Sequence, residues 1–268
     1  MICKRNTYSN NLCKYYNKGT LVGISYFYFW RWMQMKRILS LLLALALCLP
    51  LCACGNQKEA EAAQKAKEAY DFLVEAYTKI DEIGDAVYGV WALNVKSAAK
   101  IKTDPLGTLL PSTTLSKEEL KLGIVCATGE VAAKDQTKDE ILSLFRNATE
   151  EEMNGVNDIK DEDLGVLFAV VSDMPQFCVL CVQDAYYLNG GVESAQAALE
   201  SAKAGIKEIE VMNVEPKGME ALKNIYVATS AYLDFCLNVK GSLLQASDTI
   251  NEYRTTVKTA MSELDLIY

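Results

Sequence analysis

Apolar side chains recur at alternating steps of four and three, from Ala66 through Tyr70, Leu73, Tyr77, Ile80, Gly84, Val87, Trp91 and Asn94 to Ala98. That spacing keeps one helix face apolar, as in a coiled-coil seam. It predicts a first helix from about Lys58 to Ile101, about 65 Å long at 1.5 Å per residue. A second seam steps by three and four from Leu222 through Ile225, Thr229, Tyr232, Cys236, Val239, Leu243, Ala246, Ile250, Tyr253, Val257 and Ala260 to Leu264. It predicts one last helix from about Met219 to Leu264. Two helices of matching length and seam predict a long antiparallel pair.

Shorter helices fill the middle. Pro105, Gly107 and Pro111 break the chain between Thr103 and Ser116. Ser116 with Glu119, and Thr137 with Glu140, are capping boxes that open helices to about Ala133 and through Phe145. Thr149 to Asp163 is acidic and poorly patterned, and reads as a loop or short helical pieces. A fourth helix is expected from about Asp163 to Leu188, kinked near Pro175 and stopped by Asn189-Gly190-Gly191. A fifth spans about Val192 to Met212, before a turn at Pro216 and Gly218. No stretch alternates apolar and polar residues as a strand would. The fold class is therefore all-α: an elongated antiparallel helical bundle with two long helices and several shorter ones.

The start of the chain obeys a different pattern. Lys36 and Arg37 precede an apolar run, Ile38 to Leu49, interrupted by Ser40. Pro50 then leads to Leu51-Cys52-Ala53-Cys54-Gly55. A basic start, a short apolar core and a small-residue cleavage site make a secretory signal, and the run is too short for the ~20 residues of a membrane span. The segment resembles the signal sequence and lipobox of bacterial lipoproteins, with Leu51 and Ala53 in fitting places and Cys52 an unusual occupant of the box. The resemblance covers about 20 residues and leaves the mature domain without a family. It implies cleavage before Cys54, a diacylglyceryl group and palmitate on Cys54, and a lipid-anchored place on the extracytoplasmic face of a cell membrane.

A signal sequence normally starts its chain, so residues 1–34 read as an upstream extension, with Met35 or Met33 as the true start. Residues 35–53 are then the signal, 54–65 a tether or helix start, and 66–268 a single all-helical domain. Residues 1–53 hold no Asp or Glu and seven of the 27 Lys and Arg. The remainder carries 20 basic residues against 35 acidic, a net charge of −15. Such a chain repels nucleic-acid phosphates and anionic lipid headgroups. The membrane partner is thus reached through the lipid on Cys54, and two acyl chains hold stably where one does not.

Candidate chemistry is sparse. The chain has no histidine, which removes the commonest general base and the Ser-His and Cys-His nucleophile pairs. No phosphate-binding loop, nucleotide fingerprint or nucleophile elbow is present. Cys126, Cys178, Cys181 and Cys236 sit among apolar neighbours and read as core thiols, rather than a redox pair or a four-cysteine metal site. The acidic stretch Asn157 to Gly165 lacks calcium-loop spacing, since Ser172 stands where the loop needs Glu. Asp81 and Asp85 share a helix face, a spacing too common in an acidic chain to assign acid–base chemistry. Trp91, Tyr88 and Tyr232 are candidate ligand-facing residues between helices. No catalytic residue, metal ligand or cofactor is expected. The expected role is a non-catalytic one, binding an envelope protein; the alternative is a helical small-molecule sensor or solute-binding lipoprotein.

Overall fold

The computed structural model describes residues 57–133, 135–169, 171–239 and 242–268. The upstream extension, the signal and Cys54 lie outside the described residues. Residues Glu61–Tyr268 form one compact unit. Every element among the described residues is helical, as the sequence predicts. Helix α1 is Gln57–Thr103, α2 is Pro105–Leu109, and a 3-10 turn follows at Leu110–Ser112. Then come α3 Lys117–Ala132, α4 Lys138–Arg146, α5 Glu150–Asp158, α6 Asp161–Ala169 and α7 Met174–Leu188. The chain closes with α8 Gly191–Val211, α9 Met219–Leu237 and α10 Leu243–Leu264.

The first seam becomes the core face of α1. Ala66, Tyr70, Leu73, Tyr77, Ile80, Val87 and Trp91 are all buried. The pattern ends at Ser97, whose φ of −138° and ψ of 19° interrupt the helix. Past that break Ala98 is exposed and Ile101 is buried instead.

Two predicted helices are corrected. The expected last helix is a hairpin: α9 ends at Leu237 and Ser242 caps α10 through a box with Gln245. The two long helices are thus one long helix and two short ones packed on each other. The expected kink at Pro175 is also a full break. Asp173 accepts a hydrogen bond from Gln176 N and starts α7, with Pro175 in its first turn. Pro is well placed there, because a first-turn residue has no intrahelical N–H bond to lose. The acidic stretch after Thr149 is helical as well: Thr149 and Glu152 form a capping box that opens α5.

Cross-links place the helices. Lys65 pairs with Glu208, and Lys79 with Ser194, so α8 runs antiparallel to α1. Tyr70 donates to Asp265 Oδ1 at 2.5 Å, and Arg254 bonds Asp81, so α10 is antiparallel to α1 on another face. Tyr232 brings α9 against Gly84. These four helices form a bundle, with Tyr232, Leu73, Ile80 and Ile209 fully buried. Helices α3 and α7 pack on each other and carry the site below.

Candidate functional site

Helices α3 and α7 approach closely because Gly123 has no side chain. A Cβ there would collide with the Cys181 carbonyl oxygen and the Ala185 side chain. One turn further along α3, Cys126 and Glu130 stand four residues apart and so share a face. Asp184 on α7 meets that face. Cys126 Sγ and a carboxyl oxygen from each of Glu130 and Asp184 all lie within 4.8 Å of one another. Lys138, the first residue of α4, completes the cluster. Its Nζ donates to Asp184 Oδ1 at 2.7 Å and stands 3.9 Å from Glu130 Oε1. The Tyr187 ring lies 4.9 Å below the same ammonium.

Local chemistry fixes α4 in this place. Thr137 and Glu140 cap its start reciprocally. Arg146 at its end donates to the Tyr187 carbonyl and pairs with Glu193. Ile141 and Leu142 pack with Cys126 in a small apolar cluster separate from the main core.

The cluster is buried and short of hydrogen bonds. The Asp184 side chain has no solvent exposure and that of Glu130 has 13%. Asp184 Oδ2 and Glu130 Oε1 are buried without a hydrogen-bond partner. Burial, then the Asp184 charge, pushes the Glu130 carboxyl up to about 7, against the pull of Lys138. Burial also raises Asp184, with Lys138 offsetting it. The Cys126 thiol is raised by burial and by both carboxylates. The carboxyls therefore take up a proton near neutral pH while the thiol stays neutral, and the cluster is a site for a proton or for a cation.

The sequence-predicted residues fall elsewhere. Tyr232 is fully buried. Its ring stacks on Tyr253 at 5.7 Å and its hydroxyl donates to Asp81 Oδ1 at 3.1 Å. Asp81 and Asp85 both bind Arg254, which donates to Asp85 Oδ1 at 2.5 Å. Burial works against the Arg254 charge, and the bonds to Asp85 and Asp81 outweigh it and raise its pKa. The Tyr77 hydroxyl, buried near this pair, is pushed up to about 12 by burial and by Asp81. Trp91 is buried and Tyr88 half-buried against the main core. Cys126, Cys181 and Cys236 are free and buried, and Cys178 is buried with them. Burial raises Cys181 and Cys236 well above ordinary thiols, which quiets them as nucleophiles.

A second feature lies on the surface. Helices α4 and α5 enclose a groove of about 460 Å³ lined by Leu144, Phe145, Ala148, Met153 and Val156 with polar Ser143, Asn147 and Glu152. Leu144 is 61% exposed there. Sequence reasoning missed both features. The i, i+4 pair Cys126 and Glu130 was the available signal for the first, and the Thr149 capping box for the second.

No protein-family model matches the chain, and no curated protein or solved structure is significantly similar to it.

Proposed function

We propose that the chain is a lipoprotein exported across a cell membrane, cleaved before Cys54, acylated there, and working as a non-catalytic binding module on the extracytoplasmic face. The observation that carries this reading is the run from Lys36 to Cys54, whose charge, apolar core and box follow the lipoprotein pattern. Among the described residues no helix is long and apolar enough to cross a membrane. The acidic remainder of the chain disfavours direct adsorption to anionic headgroups. The bundle's contact surface is the exposed apolar side of α4 and α5, around Leu144.

The alternative reading is a small-molecule sensor or solute-binding lipoprotein. The volume of the α4–α5 groove favours it, since small-ligand sites span about 300–1,000 Å³.

Metabolic labelling tests the anchor. Cells expressing the full chain and fed a clickable fatty acid should label a membrane-fractionated protein, and Cys54→Ala should lose both the label and the membrane fraction. An unlabelled wild type, or a Cys54→Ala protein that fractionates unchanged, sinks the reading.

A further inference from the structure

We propose that Cys126, Glu130 and Asp184 form a binding site for a divalent cation of the zinc class, with Lys138 as the outer partner of Asp184. The proposal is independent of the lipid anchor and of the groove.

The donor set selects the metal class. A thiolate with two carboxylates is unsuited to magnesium or calcium, which take oxygen ligands alone. Zinc accepts sulfur at about 2.3 Å and carboxylate oxygen at about 2.0–2.2 Å. Donors around such an ion sit about 3.5 Å apart, and these three already lie within 4.8 Å before any adjustment. Glu130 is the adjustable member, with a long side chain and 13% exposure. Cys126 and Asp184 are held by the close α3–α7 contact at Gly123.

Asp184 supplies the second, independent observation. Its side chain is wholly buried, one oxygen is bonded to Lys138, and the other takes no hydrogen bond from any N–H or hydroxyl. A buried carboxylate oxygen in that position needs a proton or a cation, and Cys126 and Glu130 beside it supply the further ligands of a cation. The Lys138 bond then serves the same purpose as the outer hydrogen bonds that orient metal-ligating carboxylates elsewhere.

Charge balance agrees. The ionised thiolate and two carboxylates carry three negative charges, Lys138 carries one positive, and a divalent ion brings the sum to zero. Binding releases the protons that the ligands carry, the Cys126 thiol proton among them, with no redox change. The three side chains leave a fourth coordination position for water, as in zinc sites with three protein ligands. Glu130 and Lys138 are the members that reach solvent, so the ion enters past them.

The test uses the full chain purified in detergent, stripped with a chelator and titrated with Zn²⁺ and then Co²⁺ alone. The expected result is saturable Zn²⁺ binding at micromolar concentration or tighter and a higher Tm. Co²⁺ should give a thiolate-to-cobalt charge-transfer band. Cys126→Ser should abolish the band, and Glu130→Gln should weaken Zn²⁺ binding by about tenfold or more, with helical circular dichroism unchanged in both. Cys178→Ser with Cys181→Ser should keep the band. No saturable binding up to about 1 mM, binding unchanged in Cys126→Ser and Glu130→Gln, or a band lost with Cys178 and Cys181 would each overturn the proposal.

Discussion

Lys138 Nζ donates to Asp184 Oδ1 at 2.7 Å, so the first residue of α4 supplies the counter-charge for a fully buried carboxylate on α7. Removing one partner of such a pair leaves the other charge buried and alone, which costs about 3–5 kcal/mol. Lys138 is 33% exposed, and solvent screening reduces the loss to about 2–3 kcal/mol. Lys138→Met should therefore lower the urea midpoint by that amount. Adding Asp184→Asn should recover most of it, because the uncompensated charge is gone. A double variant no more stable than Lys138→Met would contradict the pairing.

Glu130 sets a pH dependence whose sign can be worked out. Its folded pKa is about 7, above an ordinary value of 4.5. The folded protein holds the proton that the unfolded chain has released between these values, so stability falls as pH rises through that window. Asp184 is raised too and acts in the same direction. Lys138 opposes both, while Cys126 and Tyr187 ionise only above the window. Glu130→Gln imitates the protonated carboxyl. In chelator it should flatten the fall and be more stable than wild type at pH 8 by about 3 kcal/mol. Chemical denaturation at pH 4, 6 and 8 reads this out; parallel profiles for the two proteins would refute it.

Gly123 and Gly155 are both helical glycines, and their alanine variants should move stability in opposite directions. Alanine is favoured over glycine inside a helix by about 1 kcal/mol. At Gly155 nothing lies within 4 Å of an added Cβ, so Gly155→Ala should stabilise by roughly that amount. At Gly123 the added carbon meets the Cys181 carbonyl and Ala185. Overpacking there costs about 1–3 kcal/mol and outweighs propensity. Thermal unfolding should show Gly123→Ala lower in Tm than wild type and Gly155→Ala higher.

The all-α class, the core face of α1 and the two capping boxes at Ser116 and Thr137 were legible in the sequence, because each rests on local spacing. The break between α9 and α10 was not. Leu222 through Val239 and Ala246 through Leu264 keep the three–four stepping on both sides of it, and these residues are buried apart from the half-buried Tyr253. Ser242 with Gln245 is the one local sign of a new start. Pro175 breaks a continuous helical pattern, and only the Asp173 cap makes it a beginning. The Cys126 cluster was illegible for another reason. Glu130 and Asp184 are 54 positions apart, and only the tertiary contact at Gly123 joins them. Tyr232 illustrates the converse: its seam position was right, but its hydroxyl serves Asp81, a pairing across 151 positions that no spacing rule reaches.

The uninterrupted seam across the α9–α10 turn has a consequence for how the chain reaches one structure. Apolar spacing alone does not distinguish a straight rod from a hairpin, because the stepping continues on both sides of the break. The turn is marked instead by polar contacts at its two ends: Asn238 bonded back to Asp234 and Ser242 to Gln245. Where this chain doubles back is thus written in exposed hydrophilic side chains and not in its apolar ones.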